Sequence, residues 1–396
     1  MFAVESHTDD VARAVGMSPI EFRRKNVMPQ GYVDAFSKNE NYYDTFHECM
    51  DKASAYMDYD RKAREYAAQA GNIRRGVGLA VFWYNTAVWP ISLETSSCRM
   101  VLNQDGSVQV QVGETEIGQG ADTAFSQMAA DALGIPFEDV HIISSQDTDV
   151  TPFGTGAYAS RQTYTAGFSI EQTAGLLKER ILAYAQELTR MPGSQLDLEE
   201  GVIVRKGDGR PMMTLGELAT EALYSLSHSE HLTAESTYQI KSNAYSFGCT
   251  MAEVEVDIEA CKVSLIDIVN VHDCGRLINP ALAKAQVHGG MSMGIGYALS
   301  EMEKFDAETG RTLNGNLLDY KLSTAMDHPH LEGQFVENYE PTSAFGTKAL
   351  GEPPVCSVAP AIRNAVLQAT GIGISQIPLN PHILFEEFKK GGLLDV

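Results

Sequence analysis

The sequence predicts an α+β fold, with sheets and helices in layers and no strict strand–helix alternation. Three observations carry that expectation. Residues 1–75 are helix-rich, the texture changes to alternating segments from Gly76, and single helical stripes then separate hairpins irregularly. The 396 residues, 44% hydrophobic and 21% charged, have ordinary globular proportions and could hold roughly two to three domains. A net charge of −22, from 30 basic and 52 acidic side chains, repels phosphate backbones and anionic membranes, so no nucleic-acid or membrane partner is expected.

In chain order, Thr8 can cap a helix running through Val11 and Val15 to Gly16, and Ser18-Pro19-Ile20-Glu21 offers a capping box with proline at the first helical position. Residues 97–103 and 107–112 alternate around Asp105-Gly106, a hairpin signal. A helix is predicted over 123–133, a strand over 140–144, and a core-facing helix over 168–189 from Leu177, Ile181, Tyr184 and Leu188. "GVIVRKGDGRPM" is a strand and turn, and the polar stretch 232–250 reads as a crossing. Two strands joined near Glu259-Ala260 follow, then a Gly/Met-rich helix over 283–300 whose glycines suit close packing. The six cysteines, at 49, 98, 249, 261, 274 and 356, have no short ligand spacing, which argues against a zinc or iron–sulfur site. The opening "MFAVESHTDD" turns acidic at once and has no leader pattern, so reduced thiols in a cytoplasm are expected.

Four polar bends could carry chemistry. In "GTKALGEPPVCSVAP", residues 346–360, Glu352 stands between Gly351 and two prolines. The prolines fix φ and remove donors, the residue before a proline is pushed toward extended geometry, and glycine allows close approach. The result is a stiff arch that aims a carboxylate. In "GETEIGQG", Gly118 and Gly120 flank Gln119 just before a helix, whose first N–H groups could receive an anion. "PFGTGAYASRQTYTAG" brings Ser160, Arg161, Gln162 and Thr163 together, a set suited to phosphate oxygens. "VHDCGRLINPALAKAQVHGG" holds Asp273 in a turn, Asn279-Pro280 at a helix start and Gln286 inside that helix. Each segment alone is equally what a rigid turn or a capping loop requires. His228 and His231 sit in polar surroundings and read as a solvated face.

Together and in this order, "GETEIGQG", "GTGAYASRQTYTAG", "DCGRLINPALAKAQVHGG" and "GTKALGEPPVCSVAPAIRNAV" resemble the xanthine oxidase/aldehyde oxidase family of molybdenum hydroxylases. The ending "IPLNPHILFEEFKKGGLLDV" resembles the bacterial xanthine-dehydrogenase-type molybdenum subunits. The resemblance runs along essentially the whole chain and corresponds to the C-terminal half of a longer catalytic polypeptide. It implies a helix-rich segment 1–75 completing a domain shared with a partner chain, a first molybdopterin-binding subdomain at 76–245, and a second at 246–396. It also implies hydroxylation of an N-heterocycle, a xanthine- or hypoxanthine-like purine, with water as oxygen source and Glu352 as general base. Nicotinate-type and aldehyde-type substrates, or a non-catalytic cofactor-binding subunit, are the alternatives. The cofactor implied is molybdopterin in its cytosine dinucleotide form, with molybdenum held by the pterin dithiolene and not by protein. Gly118, Gln119, Gly120, Ala159, Ser160, Arg161, Gln162, Thr163, Asp273, Ile278, Gln286 and Gly351 would contact it, Arg161 meeting the extra phosphate. Trp89 falls near the implied substrate slot. The implied partners are the second half of the molybdenum subunit, a [2Fe-2S] subunit and an FAD subunit.

Overall fold

A computed structural model describes residues 1–91, 94–145 and 147–394. Helices α1 (Phe2–Ala14), α2 (Pro19–Asn26), α3 (Thr45–Met57) and α4 (Tyr59–Glu65) precede the long strand β1 (Ile73–Asn85). Strands β2 (Thr95–Leu102) and β3 (Val108–Val112), helix α5 (Ala121–Leu133), strand β4 (Val140–Ile143) and helix α6 (Gln162–Thr189) follow. Next come β5 (Leu196–Glu199), β6 (Val202–Arg205), β7 (Arg210–Thr214), α7 (Leu215–Tyr224) and β8 (Thr233–Gln239). The last part holds β9 (Tyr245–Asp257), β10 (Lys262–Asp273), α8 (Pro280–Leu299), β11 (Leu331–Phe335), α9 (Pro353–Cys356), α10 (Val358–Thr370) and α11 (Pro381–Lys390).

Two four-stranded sheets organise these elements, in the orders β4-β3-β2-β8 and β1-β9-β10-β11, with β5-β6-β7 as a third, small sheet. Most pairings are antiparallel; β3 with β4 and β10 with β11 are parallel. This mixed layering is the expected α+β class. The first sheet buries Met100, Val108 and Val110 against Phe125 and Met128 of α5 and Ile170, Leu177 and Ile181 of α6. The other large sheet is covered on both faces. Val254, Val256 and Ile268 pack against α8, α10 and α11, while Val77, Phe247 and Met251 pack against Ile20, Phe46 and Met50 of the opening helices. Burial on both faces shows in β9, which is buried along nearly its whole length although it carries Ser246, Thr250 and Glu253.

Several local expectations change. α1 starts at Phe2 and runs through Thr8, whose hydroxyl bonds the Val4 carbonyl at 2.8 Å and so satisfies itself inside the helix. Pro19 does open α2, but Ser18 makes no side-chain cap. α6 begins at Gln162, because its small polar residues bury Thr165, Ser169 and Thr173 and bond their hydroxyls to backbone carbonyls. Most of the polar stretch 232–250 is strand, the edge strand β8 and the start of β9, with a crossing only at 240–244 between them. Finally, β1 straddles the expected boundary at 75/76 and pairs along its whole length with β9, most of which lies beyond 245, so the sheet crosses both expected boundaries.

Candidate functional site

A cavity of about 320 Å³ is lined by loops and by residues of α5, α6 and α8. All four polar bends reach it, and a chain of hydrogen bonds ties them. Gln119 donates to Gln162 Oε1 at 2.7 Å, joining the first bend to the second. Ser160 Oγ donates to Glu352 Oε2 at 3.2 Å, joining the second to the fourth. Lys348 Nζ pairs with Asp273 at 2.7 Å, and Thr347 bridges Gly275, joining the fourth to the third. Asn279 Nδ2 donates to Gln127 Oε1 of α5 at 3.1 Å, which closes the ring.

Glu352 stands at the rim, exposed. Tyr84, on β1, and Ser160 both donate to its Oε2, and its N–H donates to Ser160 Oγ at 2.9 Å. Among the described residues nothing donates to Oε1. Its backbone is helical, φ −86° and ψ −32°, not extended as the following proline suggests. Tertiary contacts override that preference. Glu352 stands at the N-terminal end of the single turn α9 without a side-chain cap, and the two prolines of that turn occupy positions with no N–H partner to lose. Pro354 lies against Gly290 of α8, where a Cβ would come within 2.3 Å, and Val358 lies against Gly294 in the same way. The glycines of "GMSMGIG" therefore seat the carboxylate-bearing turn. Gly351 brings the backbone beside Ser160, 3.2 Å from a would-be Cβ. Burial and the Glu352 carboxylate together push the Tyr84 phenol well above its ordinary value.

Nine of the expected residues line the cavity: Gln119, Gly120, Ser160, Gln162, Thr163, Ile278, Gln286, Gly351 and Glu352. Gly118, Ala159, Arg161, Asp273 and Trp89 do not. Arg161 is fully buried and holds the carboxylates of Glu94 and Glu114 with the carbonyls of Gly156 and Thr95, so its fork is spent inside the protein rather than offered to a phosphate. Burial raises Glu114 above the usual carboxylate range, against the pull of Ser96 and Arg161. Asp273 is likewise buried, accepting from Thr45, Asn338, Lys348 and the Gly275 N–H. It fixes Lys348 rather than touching a ligand. Ala159 gives its carbonyl to the Ala87 N–H, and Trp89 packs onto a small cluster with Tyr164 and Ile240.

The N–H groups expected to be free around Gly118 and Gly120 are taken. The Glu116 carboxylate accepts from Gly118, Gly120 and Asp122, and although burial opposes it, these donors hold the group below its ordinary value. α8 is capped by its own Asn279. The start of α6 has no side-chain cap and lies at the cavity through Gln162 and Thr163. Arg276 and Lys348, quoted within the motifs but not singled out, also line the wall; Arg276 has no ion pair among the described residues. Among those residues no group of three His, Cys, Asp or Glu side chains could hold a metal ion, and no helix is long and apolar enough to cross a membrane.

A mixed α+β scaffold around a cavity with an uncapped helix start and Arg276 on its wall, and one carboxylate at the rim, suits a planar, hydrogen-bonding anionic cofactor. Residues 52–329 match the family model for a molybdopterin cofactor-binding domain, and the chain belongs to that family, in its xanthine oxidase branch. It is 47% identical over 395 residues to the xanthine dehydrogenase molybdenum-binding subunit of Escherichia coli O157:H7, covering 100% of this chain and 52% of that protein. It is 27% identical over 405 residues to the carbon monoxide dehydrogenase large chain of Hydrogenophaga pseudoflava, 98% of this chain and 50% of that one. The crystal structure of quinoline 2-oxidoreductase from Pseudomonas putida 86 superposes with a TM-score of 0.89 at 28% identity, over 98% of this chain and 52% of that chain. The chain thus spans about half the length of the curated relatives it matches.

The cavity fits a molybdopterin. Gln286 presents an amide that matches the donor–acceptor edge of a pterin, while Gln119 and Gln162 bond each other and the Thr115 carbonyl and so shape the wall. The opening turn of α6 and Arg276 provide N–H donors and charge for a phosphate. Gly120 and Gly351 let the wall close up, the first against the Leu282 side chain of α8 and the second against Ser160.

Proposed function

We propose that this chain is the cofactor-binding half of a molybdenum hydroxylase that acts on an electron-poor carbon of an N-heterocycle, a xanthine- or hypoxanthine-like purine, with water as the oxygen source. A molybdenum-bearing pterin, when bound, supplies the oxidising centre. Glu352 is the general base. Tyr84 and Ser160 fix its Oε2 by hydrogen bonds, which leaves Oε1 to accept the proton as oxygen attacks carbon. A base needs fixed placement within hydrogen-bond reach of that proton, and the α9 turn seated on α8 supplies it. This held carboxylate is the observation that carries the reading. The 47% identity to a xanthine dehydrogenase subunit supports the purine class. The relatives are named as one subunit or large chain of an assembly, which supports placing the [2Fe-2S] and FAD centres on partner chains, with the second half of the molybdenum subunit beside this one. If the cofactor is a cytosine dinucleotide, Arg276 and the α6 start, not the spent Arg161, would hold its second phosphate. A cytoplasmic location goes with the soluble small-molecule substrate.

The test is Glu352→Gln in the assembled enzyme, assayed on heterocycles with an artificial electron acceptor. Turnover should fall by about 10²–10⁴-fold, the usual contribution of general acid–base catalysis, while molybdenum and pterin contents stay at wild-type level. Unchanged turnover overturns the assignment of Glu352. Release of CMP on acid hydrolysis checks the dinucleotide form.

A further inference from the structure

Helix α8, "PALAKAQVHGGMSMGIGYAL", is apolar or small on nearly every side. Its inner side buries Val287, Met291, Ile295 and Ala298, and Gly290 and Gly294 abut α9 and α10. A helix hydrophobic all round is normally covered all round. Yet Met293 and Tyr297 are 62% and 55% exposed. Beside them runs the strap 300–330, which among the described residues has no helix or strand, only one isolated bridge between Phe305 and Thr312. Ser323 Oγ reaches the Ser292 carbonyl of α8 at 3.5 Å, so the strap touches α8 there, and within the strap Tyr320 donates to Glu301 at 2.7 Å. It turns Leu317, Leu318, Leu322 and Met326 to solvent, 79%, 79%, 53% and 92% exposed. Structureless straps of this length inside compact domains are uncommon and usually functional, and contiguous exposed apolar surface marks a partner site.

We propose that this face seats the polypeptide corresponding to the half of the relatives' length that this chain does not span. The proposal rests on the family reading above and names the surface that reading requires. The relatives are about twice as long, so a second body of similar size needs a large apolar face to dock on. This face also borders the catalytic turn, because α8 carries Pro354 on its Gly290; a body docked here lies next to Glu352. A second copy of this chain is a poorer occupant. Residues 301–330 hold six acidic against three basic side chains, and pairing the face with itself opposes like charges.

The probe is the part of the Escherichia coli O157:H7 relative that this chain does not match, expressed as a separate polypeptide and titrated into the full chain. Binding is expected, with hydrogen exchange slowed across 313–326. Leu318→Asp and Leu322→Asp, both at exposed positions that leave the fold intact, should each weaken it about tenfold or more, as substitutions at the centre of an interface do. Three outcomes overturn the proposal: no binding by the wild-type chain, equal binding by the variants, or self-association through the face in light scattering that the variants abolish. Pterin content of the reconstituted pair is read separately. Its absence with binding intact defeats the cofactor assignment and leaves the docking face standing.

Discussion

Two kinds of charged group surround the cavity, and the protein treats them oppositely. Arg161 with Glu94 and Glu114, and Lys348 with Asp273, are buried and surrounded by partners. Glu352 and Arg276 are exposed at the wall, Glu352 held at one oxygen and Arg276 in no ion pair among the described residues. The buried sets hold the bends in place: Arg161 clamps the loop before α6 onto β2, and Lys348 ties 346–348 to the end of β10. The exposed groups remain available for chemistry. In this molecule a strong charge inside a motif is more often the frame of the site than a ligand contact.

The largest expected effect comes from breaking the most buried frame. Arg161→Met leaves Glu94 and Glu114 buried without their cation, at a cost of about 3–5 kcal/mol, read as a large fall in thermal midpoint. Arg161→Lys should recover part of it, since the charge returns but the fork does not. A contact to phosphate alone would give the reverse pattern, with stability kept and only cofactor retention lost, and that result would break the comparison. Lys348→Met comes next, at about 3 kcal/mol, the lower end for a broken buried pair. Thr45, Asn338 and the Gly275 N–H still solvate Asp273. Its specific sign is faster hydrogen exchange over 346–352, because the tie at 346–348 is lost; exchange unchanged there would show that the pair does not hold the catalytic turn.

How legible this was in the sequence depended on the range of the interaction. The β2–β3 hairpin was legible because Asp105-Gly106 and the period-two pattern are local signals. The convergence of four bends was legible as a motif order, and nine of the expected residues do line one cavity. The start of α6 was not, because Thr163, Thr165 and Gly167 look like loop residues until a second element buries them. Nor could the sequence sort Arg161 from Arg276, since both stand in polar bends. What separates them is that Glu94 and Glu114, 67 and 47 residues away in the chain, fold over one and not the other. Tyr84 was missed for the same reason: its partner Glu352 lies 268 positions further on, and nothing within "FWYNTA" announces it. Glu116, inside a quoted motif, was passed over because a carboxylate filling the anion site looks like an ordinary surface acid.

The smallest effect lies at the rim and tests whether the Glu352 contact is electrostatic as well as geometric. Tyr84 is raised first by burial and then by the hydrogen bond and charge of Glu352. A phenol whose folded value lies above its unfolded value of about 10 contributes stability that is complete below that pH and is lost as pH rises beyond it. In Glu352→Gln the burial remains but the charge is gone, so Tyr84 should ionise at lower pH than in the wild type, and the alkaline loss of stability traceable to it should shrink. Tyr84→Phe should cost only about 0.5–1.5 kcal/mol at neutral pH, the net worth of one hydrogen bond, and should remove this alkaline component altogether. Spectrophotometric titration of tyrosinate in the three proteins decides the point. If the wild type and Glu352→Gln titrate identically, the carboxylate does not act on Tyr84, and the hydroxyl is a spacer rather than a clamp on the base.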